Sequence, residues 1–163
     1  MYPDSSLQLN FETDKAIYFF TSAFEPFDNF SAHAINLWGQ TFPTAEHAYQ
    51  WKKFEVTNPT HAERIRTASS PWAAKQITYE LRDYRKDWQK VKLGIMEETL
   101  RAKVSQHQDV RDLLLKTSDK IIVENSPVDS FWGAGVDGKG ENWIGKIFMK
   151  IREELKTDQT VSS

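Results

Sequence analysis

Apolar and polar positions follow two different periods along this chain, and the change falls at Pro43. Before it, the apolar runs are short, β-branched and aromatic. Ile17-Tyr18-Phe19-Phe20 predicts a strand. Ala34-Ile35-Asn36-Leu37-Trp38 and Gln40-Thr41-Phe42 predict a hairpin turning at Gly39, which tolerates positive φ. After Pro43 the spacing becomes helical. Thr44 predicts the cap of a helix over 45–56, and Thr60 the cap of a second over 61–68. Ser70-Pro71 supplies an N-cap and an N1 proline for a third. Asp87 predicts the cap of a longer helix over 88–104, where Val91, Ile95, Met96, Leu100 and Val104 recur at helical spacing. Leu113-Leu114-Leu115 marks a short helix ending near Thr117, and Ile121-Ile122-Val123-Glu124 a short strand. The last helix starts near Asn142 with the stripe Ile144, Ile147, Phe148, Ile151 and Leu155.

These elements predict an α+β, predominantly helical fold, with a small N-terminal β element packed on a helical domain. No repeat or low-complexity linker divides the chain, so 1–156 read as one domain and 157–163 as a flexible polar tail. At 163 residues the chain is long enough to bury its own core. No apolar run reaches the ~18–20 residues of a membrane span. The N-terminal Met1-Tyr2-Pro3-Asp4-Ser5-Ser6 lacks the basic and apolar regions of a signal peptide. The expectation is a cytoplasmic, soluble monomer.

Composition narrows the chemistry. With no cysteine, disulfide frameworks, thiolate zinc sites and thiol nucleophiles are excluded together. A net charge of -2 argues against a large basic surface for nucleic acid. Six Trp stand out, because bulky aromatics both fill cores and stack on flat ligands. His47 follows Glu46, but the second His four residues on that a zinc motif needs is missing, and no metal or cofactor is expected.

Two segments carry candidate chemistry. On a helix, Glu46, Gln50 and Lys53 share one face with Tyr49 beside them, which groups a carboxylate, an amide, an amine and a phenol. The same stripe also reads as a solvated face with a Glu–Lys pair. The second segment runs from Pro127 to Gly145 and holds five of the seven glycines. It leads into a helix N-terminus, where free N–H groups favour an anion such as phosphate. A plain glycine-rich connection is the other reading. No Walker or dinucleotide fingerprint is present.

Taken together, the ordered segments resemble the NADAR family, YbiA-like proteins included. They are Phe27-Asp28-Asn29-Phe30, then Phe42-Pro43-Thr44-Ala45-Glu46-His47 on through Gln50 and Lys53-Phe54, then Ala68-Ser69-Ser70-Pro71 with Ala74-Lys75. Asp87-Trp88, Lys92, Met96 and a final block through Asp129, Trp132-Gly133, Gly135, Asp137-Gly138, Asn142 and Gly145-Lys146 follow. The family's Phe-Ser-Asn-Phe stands here as Phe27-Asp28-Asn29-Phe30, which keeps Asn29 and both aromatics.

The resemblance implies a hydrolase of N-glycosidic bonds that join a phosphorylated ribose to a nucleobase-like amine. Two substrate classes go with it: ribosylamino-pyrimidine phosphates of riboflavin synthesis, and ADP-ribose on guanine in DNA. It maps functional positions onto Glu46, Trp88, Asp129 and Trp132. Glu46 and Asp129 are the expected carboxylate pair around an oxocarbenium-like C1′. Lys53 is the expected amine for attack on an opened ribose, provided that burial lowers its pKa. Trp88 and Trp132 are expected to stack on the substrate, with Gly133, Gly135, Asn29, Tyr49, Gln50 and Asn142 around it. The alternative from another class is a non-enzymatic module that binds ADP-ribose or an NAD-like ligand.

Overall fold

The computed structural model describes residues 8–20 and 25–161. The chain packs as two compact units, one formed by residues 29–108 and the other by residues 1–28 with 109–163.

In the discontinuous unit, β1 (Phe11–Glu12) pairs antiparallel with β2 (Ala16–Phe19), and β2 pairs parallel with β5 (Ile121–Glu124). Ala16 lies opposite Ile121 and Phe19 opposite Glu124. The predicted N-terminal β element therefore takes one strand from late in the chain. β1 was not expected, since two residues are too short to show a period. α5 (Gln108–Lys116) and α6 (Trp143–Val161) are the helices of this part of the chain. Phe19, Phe27 and Phe148 form its buried aromatic core, with Phe27 5.0 Å from Phe148 between ring centroids. The predicted stripe of α6 faces this core: Ile144, Ile147, Phe148 and Ile151 are buried. α6 continues through Val161, so helix occupies most of the segment read as a tail, while Ser162 and Ser163 lie outside the described residues.

In the continuous unit, β3 (Ile35–Leu37) and β4 (Gln40–Phe42) form the predicted hairpin. Its turn residues Trp38 and Gly39 both take positive φ, 51° and 74°, as a two-residue type I′ turn requires. Four helices follow: α1 (Ala45–Lys52), α2 (Pro59–Arg66), α3 (Pro71–Glu80) and α4 (Trp88–Gln106). Trp51 joins two apolar clusters, one around Ile35, Phe42 and Ala48, the other around Phe54, Ala62, Ile65 and Ala74. Trp72 is 39% exposed on α3. No helix among the described residues is long and apolar enough to cross a membrane.

Two caps differ from expectation. α2 is capped by Asn58, not Thr60: Asn58 Oδ1 accepts from His61 N–H at 3.0 Å, and Pro59 takes N1, where its missing donor costs nothing. Asp87 stands at the N-cap of α4 but makes no capping bond. Its carboxylate is held instead by Arg85, through Nε at 2.7 Å and Nη2 at 2.9 Å.

Candidate active site

α1 begins where Thr44 turns from extended backbone into helix. Thr44 Oγ1 accepts from His47 N–H at 3.3 Å and lies 2.8 Å from His47 Nδ1. His47 Nε2 reaches Ala68 O at 3.1 Å. A carbonyl only accepts, so Nε2 carries the proton and Thr44 donates its hydroxyl to Nδ1. Burial lowers the His47 pKa, against the raising effect of the Ala68 bond, which keeps the ring neutral. His47 is thus a structural pin at the start of α1.

That pin fixes the helix face that carries Glu46. The Glu46 side chain is buried, at 5% exposure, and its backbone N–H donates to Asn29 O at 3.0 Å. One turn on, Gln50 Nε2 donates to Glu46 Oε1 at 2.9 Å. This face is therefore enclosed, which rules out the solvated reading. A carboxylate out of water interacts far more strongly with charge nearby.

Lys53 follows on the same face, at the C-cap of α1 and half-buried. Its Nζ lies 4.7 Å from the Tyr84 ring centroid and 5.6 Å from that of Trp88. Burial lowers its pKa first, and the positive charges of Arg82 and Lys92 lower it further, against the raising effect of Glu46. The condition set for Lys53 as a nucleophile, a lowered pKa, is met in direction. Arg82 and Tyr84 carried no signal in the sequence, because the stretch between α3 and α4 has no period. It is anchored by backbone, with Arg85 N–H donating to Lys53 O at 3.0 Å.

Tyr49 and Trp88, expected against the substrate, pack on each other with centroids 5.0 Å apart. Trp88 is 4% exposed. Tyr49 and Lys53 both lie against its ring. Asn29 directs its Nδ2 to Met96 Sδ at 3.5 Å.

The glycine-rich segment of the other unit is a self-bonded structure. Asp129 Oδ1 accepts from Phe131 N–H at 2.9 Å and Trp132 N–H at 2.7 Å, so this carboxylate shapes a tight turn. Trp132 is half-buried, edge-on to Phe131 at 4.8 Å. A Cβ on Gly133 would meet Glu124 O at 2.6 Å, and one on Gly135 would meet Ser130 Cβ at 2.9 Å. At both glycines the chain's own atoms lie where a Cβ would stand. Asn142 spends both ends of its amide on β5, donating to Ile122 O at 2.8 Å and accepting from Glu124 N–H at 2.9 Å.

At the start of α6, expected to hold a phosphate, the loop itself meets most of the open N–H groups. Asn142, Trp143 and Ile144 donate their N–H groups to Gly133 O, Phe131 O and Trp132 O at 3.1–3.2 Å. Three of the four donors that a helix N-terminus leaves open are thus taken by the loop.

An α+β protein that encloses a carboxylate beside a lysine of lowered pKa on one helix carries the groups that acid–base or imine chemistry uses. The model of the NADAR domain matches residues 10–156, and the chain belongs to the NADAR family. It is similar to N-glycosidase Npun_R5314 of Nostoc punctiforme, 41% identical over 80% of this chain and 85% of that one. N-glycosidase YbiA of Escherichia coli is 38% identical over 90% of this chain and 92% of its own length. The NMR structure of the E. coli protein YbiA matches with a TM-score of 0.81 and 36% identity, covering 94% of this chain and 92% of that one. The maize riboflavin biosynthesis protein PYRR is 35% identical over 81% of this chain, which spans 23% of that longer protein.

Proposed function

We propose that this protein is an N-glycosidase that releases a phosphorylated ribose from the amine of a small heterocycle, with ribosylamino-pyrimidine phosphates as the substrate class. The observation that carries this reading is the face of α1, where buried Glu46 and the pKa-lowered amine of Lys53 stand together. Relatives named as N-glycosidases and as a riboflavin biosynthesis protein support it. So does the net charge of -2, which favours a free metabolite over duplex DNA.

The residues divide the work as follows. In the ring-opened form of the substrate, C1′ is doubly bonded to the nitrogen of the heterocycle. Lys53 Nζ adds to C1′ and loses a proton to Glu46. Glu46 returns that proton to the heterocycle's nitrogen, and the second Nζ proton follows by the same route as that nitrogen's bond to C1′ breaks and the amine leaves, with C1′ bound to Lys53 as an imine. Water then adds to C1′, Glu46 passes first one and then the other of its protons to the lysine nitrogen, and the C1′–Nζ bond breaks. Ribose phosphate leaves as the aldehyde and Lys53 is restored. The Glu46 charge also stabilises positive charge at C1′ in each step. The reaction needs one chain and no cofactor.

The test is direct competition between substrates. Wild-type protein incubated with a ribosylamino-pyrimidine phosphate is expected to release ribose 5-phosphate. Under the same conditions it should leave ADP-ribosylated guanine in DNA largely intact. The opposite preference would move the substrate to the ADP-ribosyl class, and hydrolysis of neither would end the enzyme reading.

A further inference from the structure

Two buried acceptors beside Glu46 have no donor. Gln50 Oε1 and Asn29 Oδ1 are shut off from solvent, and neither receives a hydrogen bond. The other end of each amide sets its orientation. Gln50 Nε2 donates to Glu46 Oε1 at 2.9 Å, and Asn29 Nδ2 points at Met96 Sδ, which only accepts. Turning Gln50 over would press its oxygen against a carboxylate, so Oε1 is the end left over. Both residues are tied to Glu46, Asn29 through the backbone bond that its carbonyl accepts from Glu46 N–H. Leaving such oxygens buried and unpaired costs stability, and native proteins keep few of them without a use.

An acceptor calls for a donor, and the chemistry of the substrate limits which one. A phosphate offers acceptors only. The leaving nitrogen has to gain a proton, and amide oxygens have none to give. The heterocycle's N–H groups and the attacking water also donate, but the sugar offers a fixed pair beside the carbon where Glu46 works: the 2′-hydroxyl stands on the carbon next to C1′, with the 3′-hydroxyl as its vicinal neighbour. We propose that Gln50 Oε1 and Asn29 Oδ1 accept from the 2′,3′-diol of the substrate's ribose and make the protein selective for ribo- over 2′-deoxyribosyl compounds. This rests on the reaction proposed above, in which Glu46 works at C1′. The bonds from the diol strengthen as charge develops there, so they act on turnover as well as on binding.

The test pairs a binding measurement with a turnover measurement. Calorimetric titration compares ribose 5-phosphate with 2-deoxyribose 5-phosphate. Hydrolysis compares a ribosylamino-pyrimidine phosphate with its 2′-deoxy counterpart. Wild type is expected to favour the ribo form about ten- to a hundredfold in both. Gln50→Leu and Asn29→Leu should bring the ratio close to one, while Asn29→Asp, which keeps an acceptor oxygen, should preserve it. If the leucine variants weaken both sugars in parallel and leave the ratio intact, the two residues are structural and the proposal fails. Equal wild-type affinity for the two sugars, as a resident water on the oxygens would give, overturns it too, as does failure to bind either. Should the leucine variants not fold by circular dichroism, the wild-type ratio and Asn29→Asp still decide. A sugar preference without hydrolysis would end the proposed reaction but keep the diol reading. Hydrolysis of both sugars at equal rates would do the reverse.

Discussion

Gln50 holds Glu46 by a single side-chain bond, Nε2 to Oε1 at 2.9 Å, one turn apart on α1. The bond fixes the carboxylate without neutralising it, because an amide donates a hydrogen and no charge. Glu46→Gln keeps the volume and the bond to Gln50 while removing the charge. The variant should fold, with a melting temperature within a few degrees of wild type, and lose at least about a hundredfold in hydrolysis, the usual worth of a positioned acid–base group. Thermal melting and steady-state turnover check it, and near-normal hydrolysis would remove Glu46 from the mechanism.

Lys53 predicts a pH dependence with a definite sign. Its folded pKa lies below the ordinary 10.5, chiefly through burial, so the folded state binds fewer protons than the unfolded chain between the two values. Protonation of Lys53 therefore weighs against folding as pH falls from above 10.5 through the folded value. Lys53→Met removes that effect, and its stability relative to wild type should decline as pH rises toward 10.5. Activity should climb with pH through the lowered pKa, because the neutral amine is the reacting form. Borohydride added during turnover should leave a mass adduct on Lys53, and Lys53→Arg should give neither adduct nor turnover. Intact activity in Lys53→Arg would exclude the imine.

The Thr44–His47–Ala68 chain predicts acid sensitivity in the fold. The folded pKa of His47 lies below 6.5, lowered by burial. The stability it contributes is present above 6.5 and lost as pH falls through the folded value. Thr44→Val removes both the helix cap and the hydroxyl on Nδ1, and should cost about 1–2 kcal/mol at neutral pH. Thr44→Ser keeps both groups and should stay close to wild type. Urea denaturation of the three proteins at several pH values measures this, and equal stability of Thr44→Val would show that the pin carries no weight.

How far these features were legible in the sequence depended on range. The hairpin turning at Gly39 and the core stripes of α4 and α6 were readable, because each rests on local periodicity. The Glu46, Gln50 and Lys53 face was readable for the same reason, since α1 alone brings the three together. Its enclosure was not, because that depends on Asn29 and on the aperiodic stretch holding Arg82 and Tyr84. The caps failed where two side chains competed: Asn58 outdid Thr60, and Arg85 took Asp87. The glycine loop was the least legible: its composition suggested a ligand cradle but could not show that its carbonyls accept from the start of α6.

The glycines make the last prediction, because three of them in different surroundings should respond to alanine in three ways. A Cβ on Gly145 would lie 2.0 Å from Ile122 O and 2.4 Å from Asn142 Nδ2, so Gly145→Ala must push α6 off β5. Backbone cannot yield as a side-chain tip can, and the loss should exceed about 3 kcal/mol, at the far end of single-substitution effects. Gly138 has open space around it but a φ of +72°, so only the left-handed strain remains, about 1–2 kcal/mol for alanine. Gly94 sits inside α4, exposed, with nothing within 4 Å, and alanine there should stabilise by about 0.5–1 kcal/mol through helix propensity. Chemical denaturation should rank the variants Gly94→Ala above wild type, then Gly138→Ala, then Gly145→Ala. If Gly145→Ala were as mild as Gly138→Ala, the close packing of α6 against β5 would be wrong.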